Sequence, residues 1–348
     1  MGIADVIERF SRKLENDVLK EFLTERSQLE QALEEHPMHL IIHHWDTDGI
    51  TSAALLVRAL EMEGFTNMTA PIGEFRFDER IWNAIEKADR LYVLDFNVPN
   101  EVEKVKVPTL FIDHHTQPRI KNPLVEQINP SLGGKYLPAN SLVVSEHFGI
   151  WNAWSALGAV GDVGEKAFEL EIIRKLLGRE GISREEALRL VELIDSNYIT
   201  MDREAVEEAV EALLSHPIKE LLEYEPWVKK TEAIREAIDG AVSGVEERNG
   251  FAIVHFESPF NIISKVARKL VWELGYRGAV VINGNFHGKA QVYFRISPEE
   301  AQRIDMAGVI ARVKALGTNS GGKREVLGCI CERDKIGDVL TIINEYLG

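Results

Sequence analysis

Cysteine is nearly missing from this chain: among 348 residues there are two, Cys329 and Cys331. They stand two apart in GCICE, a strand-like stretch, and so short a loop disfavours a structural disulfide. A chain with no disulfide framework reads as a protein of a reducing, cytoplasmic compartment. Long apolar runs are missing as well, and none approaches the roughly 20 residues of a membrane span. The opening segment, MGIADVIERFSRKLENDVLKEFLTERSQLEQALEEH, lacks the basic start and apolar middle of a signal peptide. It reads instead as an acidic amphipathic helix over 1–36, with a stripe that includes Val6, Phe10, Leu14 and Leu19. There is no low-complexity stretch and no convincing repeat. Positive charge is in short supply: 40 Lys+Arg face 56 Asp+Glu, a net charge of −16. That excludes a globally basic nucleic-acid binder. The deficit is uneven, because residues 251–348 hold 13 basic against 10 acidic groups, and everything before them holds 27 against 46.

What is present is an ordinary globular composition, 45% hydrophobic and 28% charged, on a chain long enough for two domains. From residue 37 short apolar runs alternate with helical patterns. MHLIIHHW, MTAPIGEF, RLYVLDFNV and VPTLFIDHH read as strands, with helices between them and a helical close in SLVVSEHFGIWNAWSALGAVGD. Such alternation predicts a parallel sheet covered by helices, with ligands at the carboxyl ends of the strands. Helical periodicity then takes over, and Ser183 with Glu186 has the spacing of a capping box. Strands return after Gly250 in FAIVHFES, AVVINGNFHG, KAQVYFRIS and REVLGCICE. The predicted fold is α/β: a parallel-sheet domain over 37–185, a helical connector over 186–248 and a smaller α/β domain over 249–348.

Four apolar runs end in groups able to hold a metal. HLIIHHWDTDG delivers His44, Asp46 and Asp48 on alternate residues, which share one face wherever the strand continues. Gly49 permits a tight turn there, and Thr51 or Ser52 can begin the next helix. RLYVLDFNVP ends in Asp95, FIDHH in Asp113, His114 and His115, and ALGAVGDVG in Asp162 among small residues. Each alone reads as readily as a helix cap or a turn. Together they bring at least four carboxylates and two imidazoles to one sheet edge, where the carboxylates repel one another unless cations intervene. A mixed imidazole and carboxylate set suits Mn²⁺, with Mg²⁺ as the alternative. Two such ions about 3.5–4 Å apart would form a clamp for displacement at phosphorus. His43 and Trp45 alternate with these groups and should face the core.

In these residues the sequence resembles the DHH phosphoesterase superfamily, named for the triplet seen here as Asp113-His114-His115. Four motifs, HHWDTDG, LDFNVP, FIDHH and AVGDVG, follow in order, and the C-terminal part resembles the associated DHHA1 domain. The resemblance implies that His44, Asp46 and Asp95 hold one Mn²⁺. It implies that Asp48, Asp95, His114 and Asp162 hold a second, with Asp95 bridging. His115 would bind the scissile phosphate and Asp113 would orient the imidazoles. On the DHHA1 side, Arg295 and Ser297 match an arginine-serine pattern for substrate binding. Gly321-Gly322 is followed by Lys323 where the family usually has His. Lysine can hold a phosphate but cannot shuttle a proton near neutral pH.

The layout, without an OB-type module or a membrane span, is most similar to archaeal RecJ-like nucleases. It implies Mn²⁺-dependent exonucleolytic hydrolysis of single-stranded DNA or RNA to mononucleotides, with a 3′→5′ direction, in DNA replication or repair. Phe286, Tyr293 and Phe294 are candidates for stacking bases, and alternation sends at least one of them into the core. One alternative is an oligoribonuclease or an enzyme for small phosphates such as dinucleotides and pyrophosphate. Another is a metal-free replication scaffold. The acidic helices are candidate docking surfaces for a helicase or another replisome protein.

Overall fold

The computed structural model describes residues 37–347. The expected helix over 1–36 lies outside the described residues. The chain divides into two units: one takes residues up to His44 and Asp48–Ala159, the other Trp45–Thr47 and Val160–Gly348.

The first unit is a five-stranded, wholly parallel sheet in the order β2-β1-β3-β4-β5. Its strands are β1 (His39–His43), β2 (Thr66–Met68), β3 (Arg90–Leu94), β4 (Thr109–Ile112) and β5 (Val125–Ile128). Around them run α1 (Thr47–Ala59), α2 (Glu79–Ile85), α3 (Pro99–Val102), α4 (Asn140–Phe148) and α5 (Ala153–Val163), the last crossing the unit boundary. Leu40, Ile41 and Ile42, and likewise Leu91 to Leu94, are buried on both faces, as parallel strands require when helices cover the sheet. Strand order reverses between β1 and β3, and in open α/β sheets ligands bind outside the carboxyl ends at such a point.

The strand expected over MTAPIGEF, residues 68–75, does not form there: β2 covers Thr66–Met68, shares only Met68 with it, and is followed by turn. β1 stops at His43, and α1 begins at Thr47, four residues before the expected Thr51. Gly49 has no left-handed backbone. Its need is for space, since a Cβ there would sit 2.4 Å from the His44 carbonyl oxygen.

The second unit opens with helices α6 (Glu171–Arg179), α7 (Arg184–Ile199), α8 (Arg203–Ser215) and α9 (Glu225–Ser243). The capping box at the start of α7 forms as expected. Ser183 Oγ accepts from Glu186 N, and the Glu186 carboxylate accepts from Ser183 N.

A six-stranded mixed sheet follows in the order β10-β11-β9-β8-β7-β6. Its strands are β6 (Glu246–Arg248), β7 (Phe251–Phe256), β8 (Gly278–Phe286), β9 (Lys289–Ile296), β10 (Asn319–Lys323) and β11 (Val326–Cys331). Its helices are α10 (Ile263–Arg268), α11 (Met306–Ala315) and α12 (Ile336–Asn344). Only β7 and β8 run parallel. One core gathers Phe251, Val292, Phe294 and Leu327 with Val309 and Ile343 of α11 and α12. The other gathers Ala252, Val254, Ala279 and Val281 with Val266 and Ala267 of α10. Both cysteines are buried in β11 as free thiols. Among the described residues, no helix is long and apolar enough to cross a membrane.

Candidate metal centre

Two imidazoles meet the Asp95 carboxylate: His114 Nε2 is 3.4 Å from Oδ1 and His44 Nδ1 is 3.7 Å from Oδ2. Asp95 follows β3 directly and is almost wholly buried. Its φ is 55°, a left-handed backbone that aspartate tolerates better than most residues but that still costs free energy. The ladder holds it there, for its N–H donates to the Ile112 carbonyl of β4 at 3.0 Å. Strain kept at the tip of a core strand is a common mark of a working site.

Asp113, after β4, is fully buried. Its Oδ1 accepts from the backbone N–H of His114 at 2.7 Å and of His115 at 3.0 Å, and from His115 Nδ1 at 2.8 Å. This carboxylate therefore folds its own loop and sets the rotamer of its neighbour. His114 Nδ1 lies 3.1 Å from the Leu137 carbonyl, which leaves Nε2 for Asp95. His115 is the exposed member of the triplet and lines a cleft of about 460 Å³ with Ser131, Lys135 and Tyr136.

Asp48 is also fully buried, on the first turn of α1. Oδ2 accepts from Asn140 N at 2.5 Å and Oδ1 from Ser141 N at 2.9 Å, the first free donors of α4. The approach of α5 leaves no room for a side chain at Gly158, whose Cβ would fall 2.3 Å from Asp48 Oδ1.

Three groups of ligand atoms lie within 4.8 Å of one another: Asp95, Asp113, His114 and His115; His44, Asp46 and Asp95; and Asp48, His114 and Asp162. All eight residues singled out around the four motifs thus take part. The route differs from strict strand alternation. Asp46 follows the end of β1 and Asp48 belongs to a helix, while Asp162 sits on the last turn of α5, within the helical close expected there. Imidazole nitrogens and carboxylate oxygens at these separations fit a divalent cation of the Mn²⁺ type, with Mg²⁺ less well matched to the nitrogens. His43 is fully buried, with Nδ1 2.7 Å from the His44 carbonyl and Nε2 3.3 Å from Asn67 Nδ2, and Trp45 is core.

Sequence reasoning missed Asp195 on α7. Its Oδ1 accepts from Thr47 N at 3.0 Å and Thr47 Oγ1 at 2.7 Å, which anchors the first residue of α1. Burial first, and the facing Asp46 carboxylate second, push Asp195 up to about 7. No sequence signal marks it, because its partner is 148 residues away. Tyr136, 74% exposed beside His115, and Phe75, 59% exposed with its ring 6.0 Å from that of His44, were missed as well.

The C-terminal candidates share one sheet. Lys323 pairs with Val326 and Val326 with Arg295, so Lys323 and Arg295 face the same side in one cross-strand row. Gly321 stands two residues before Lys323 in the neighbouring row, opposite Gly328, which pairs with Tyr293. Gly322 cannot carry a side chain, since a Cβ would meet the Val326 carbonyl oxygen at 1.8 Å. Ser297 Oγ accepts from Glu300 N at 3.3 Å. Of the aromatic candidates, Phe294 is core and Tyr293 half-buried, as alternation requires, while Phe286 is half-buried at the end of β8.

No curated protein sequence matches this chain. Solved structures do. RecJ in complex with Mn²⁺ from Thermus thermophilus matches with a TM-score of 0.64 at 19% identity, over 92% of this chain and 53% of its own. This chain thus spans about half the length of that protein. An exonuclease RecJ bound to manganese matches with a TM-score of 0.61 at 18% identity, over 92% of both chains. CDC45 from Entamoeba histolytica matches with a TM-score of 0.53 at 10% identity, over 94% of this chain and 99% of its own. At such identities the likeness is one of fold. The model of the DHH family, N-terminal domain, matches residues 39–160. That matched stretch supplies all but one of the clustered ligands.

Proposed function

We propose that the protein is a Mn²⁺-dependent phosphodiesterase that trims single-stranded DNA or RNA from the 3′ end to mononucleotides. The observation that carries this reading is the gathering of His44, Asp46, Asp48, Asp95, His114 and Asp162 into overlapping groups at strand and helix ends of a DHH-family domain. His44, Asp46 and Asp95 would hold one ion, and Asp48, Asp95, His114 and Asp162 the other, with Asp95 common to both. When bound, such ions supply Lewis-acid polarisation of a water and of the phosphoryl oxygens.

The chain's own groups do the rest. Asp113 holds His115 Nδ1, so the other ring nitrogen is left for the cleft, where it meets a phosphoryl oxygen. Asp113 itself orients and does not touch substrate. In the second unit Arg295, Ser297, Lys323 and the Gly321-Gly322 backbone are the candidate groups for binding nucleic acid. Lys323 serves there as a fixed charge.

A replication scaffold that docks a helicase or another replisome protein is the second reading, favoured by the likeness in fold to CDC45. The full ligand set weighs against it as the sole role. The deciding experiment offers Mn²⁺ with single-stranded DNA and RNA labelled at one end or the other, a dinucleotide and pyrophosphate. Substrates labelled at the 5′ end should shrink as a ladder, and the label of 3′-labelled ones should appear at once as mononucleotide. Cleavage confined to dinucleotide or pyrophosphate would replace the exonuclease with a small-phosphoester hydrolase. With no cleavage at all, the scaffold reading takes over. Asp95→Ala should abolish turnover, at least about a thousandfold, while the far-ultraviolet circular dichroism stays native.

A further inference from the structure

Arg295 is 6% exposed, and among the described residues its Nε has no hydrogen-bond partner and its side chain makes one polar contact, Nη2 to Tyr293 Oη at 3.4 Å. No carboxylate reaches it within ion-pair distance among the described residues. A guanidinium buried without a counter-charge is costly, and an aromatic face compensates only in part. The face in question is Trp272, whose ring centroid lies 4.7 Å from the Arg295 guanidinium carbon.

Trp272 belongs to a π-helical turn, Lys269–Glu273, that continues α10. Turns of this kind recur at functional sites. The indole is 58% exposed, unusual for so large an apolar group. It borders a cleft of about 530 Å³ shared with Lys265 and Arg268. Neither of these two cations has an ion-pair partner among the described residues. The other charges of the cleft are closed off or peripheral: Arg235 pairs with Glu192 at 3.0 Å, Lys269 with Asp239 at 2.5 Å, and Glu273 is exposed at its rim. Arg268 also lies over the indole, 5.5 Å from its centroid, but it is exposed, and a rotamer change would uncover the ring.

We propose that this cleft is a nucleotide subsite. Trp272 stacks one base of a single strand, while Arg295, Arg268 and Lys265 hold the adjoining phosphate. The inference rests on the polynucleotide reading above and adds residues and a recognition chemistry to it: a π-face together with an anion, which pyrophosphate and other base-free phosphates cannot satisfy.

The test measures fluorescence anisotropy of labelled 12-mers in EDTA, so that nothing is cut, with oligothymidylate, oligouridylate and an abasic deoxyribose-phosphate strand as probes. Trp272→Ala should weaken whichever of the two base-bearing strands the wild type binds by about tenfold or more, the usual worth of one stacked base. Affinity for the abasic strand should hold, and Trp272→Phe should recover most of the loss. Arg268→Ala should lower the slope of log K against log salt by about one. Equal affinity of Trp272→Ala and wild type overturns the proposal, as does an equal loss on base-bearing and abasic strands. Hydrolysis of bis(p-nitrophenyl) phosphate by the wild type separates the two readings. Ester hydrolysis without oligonucleotide binding removes the subsite and leaves the phosphodiesterase. Trp272-dependent binding without ester hydrolysis does the reverse.

Discussion

The most informative single residue is Asp195, because it holds part of the candidate centre without belonging to any of the four motifs. A single oxygen accepts both Thr47 donors, so geometry and charge can be separated. Asp195→Asn keeps that acceptor, and its affinity for Mn²⁺ should stay within about threefold of wild type by calorimetric titration. Asp195→Ala removes the anchor of α1 and should lose about tenfold or more, as removal of outer partners of metal ligands does elsewhere. The pH dependence of the metal-free protein follows from the same group. The folded state keeps this proton up to about 7, whereas the unfolded chain releases it near 3.8. Folded protein binds more protons in that window, so stability should fall as pH rises through it. Denaturant melts of the Asn variant should lack this component. Most of the centre was legible at this scale: a carboxylate or imidazole at the end of an apolar run needs a partner, and the runs named seven of the eight grouped residues from strand ends. Asp195 was not, since on sequence it reads as one more acid on a solvated helix face.

Elements were readable where burial on both sides dictated them. β1, β3, β4, β8 and β9 are apolar runs and were foreseen. The elements misread or overlooked were the edges: β2 and β5 bound the first sheet, β6 and β10 the second. Asn319–Lys323, with two glycines and a lysine, forms a strand only because β11 offers a partner ladder. An edge strand answers to one neighbour and to solvent, so its side chains carry little pattern. The π-helical turn that exposes Trp272 was equally hidden, because NIISKVARKLVWELG has the pattern of one continuous helix. Central strands should also dominate stability. Phe294, fully buried in β9 with its ring 6.3 Å from that of Phe251, fills the core under α11 and α12. Phe294→Ala should cost about 3–5 kcal/mol in denaturant unfolding, against less than about 1 kcal/mol for an alanine at exposed Lys323.

At the scale of the whole chain, charge and chemistry divide between the two halves of the sequence. The four motifs of the candidate metal centre lie in the strongly acidic part, which favours cations, while the cleft around Trp272 and the row of Arg295 and Lys323 lie in the mildly basic part. An acidic total of −16 therefore does not argue against a polyanion as substrate. The thiols add a practical consequence. The chain's only two, Cys329 and Cys331, are 3% and 5% exposed, and burial pushes Cys331 up to about 12. Since the thiolate is the reactive form, a maleimide at neutral pH should leave the native protein almost unlabelled over an hour, as intact-mass spectrometry would reveal. The wild type is thus its own silent background: one cysteine introduced at an exposed position such as Lys289 would carry a dye or spin label alone, with no native thiol to delete first.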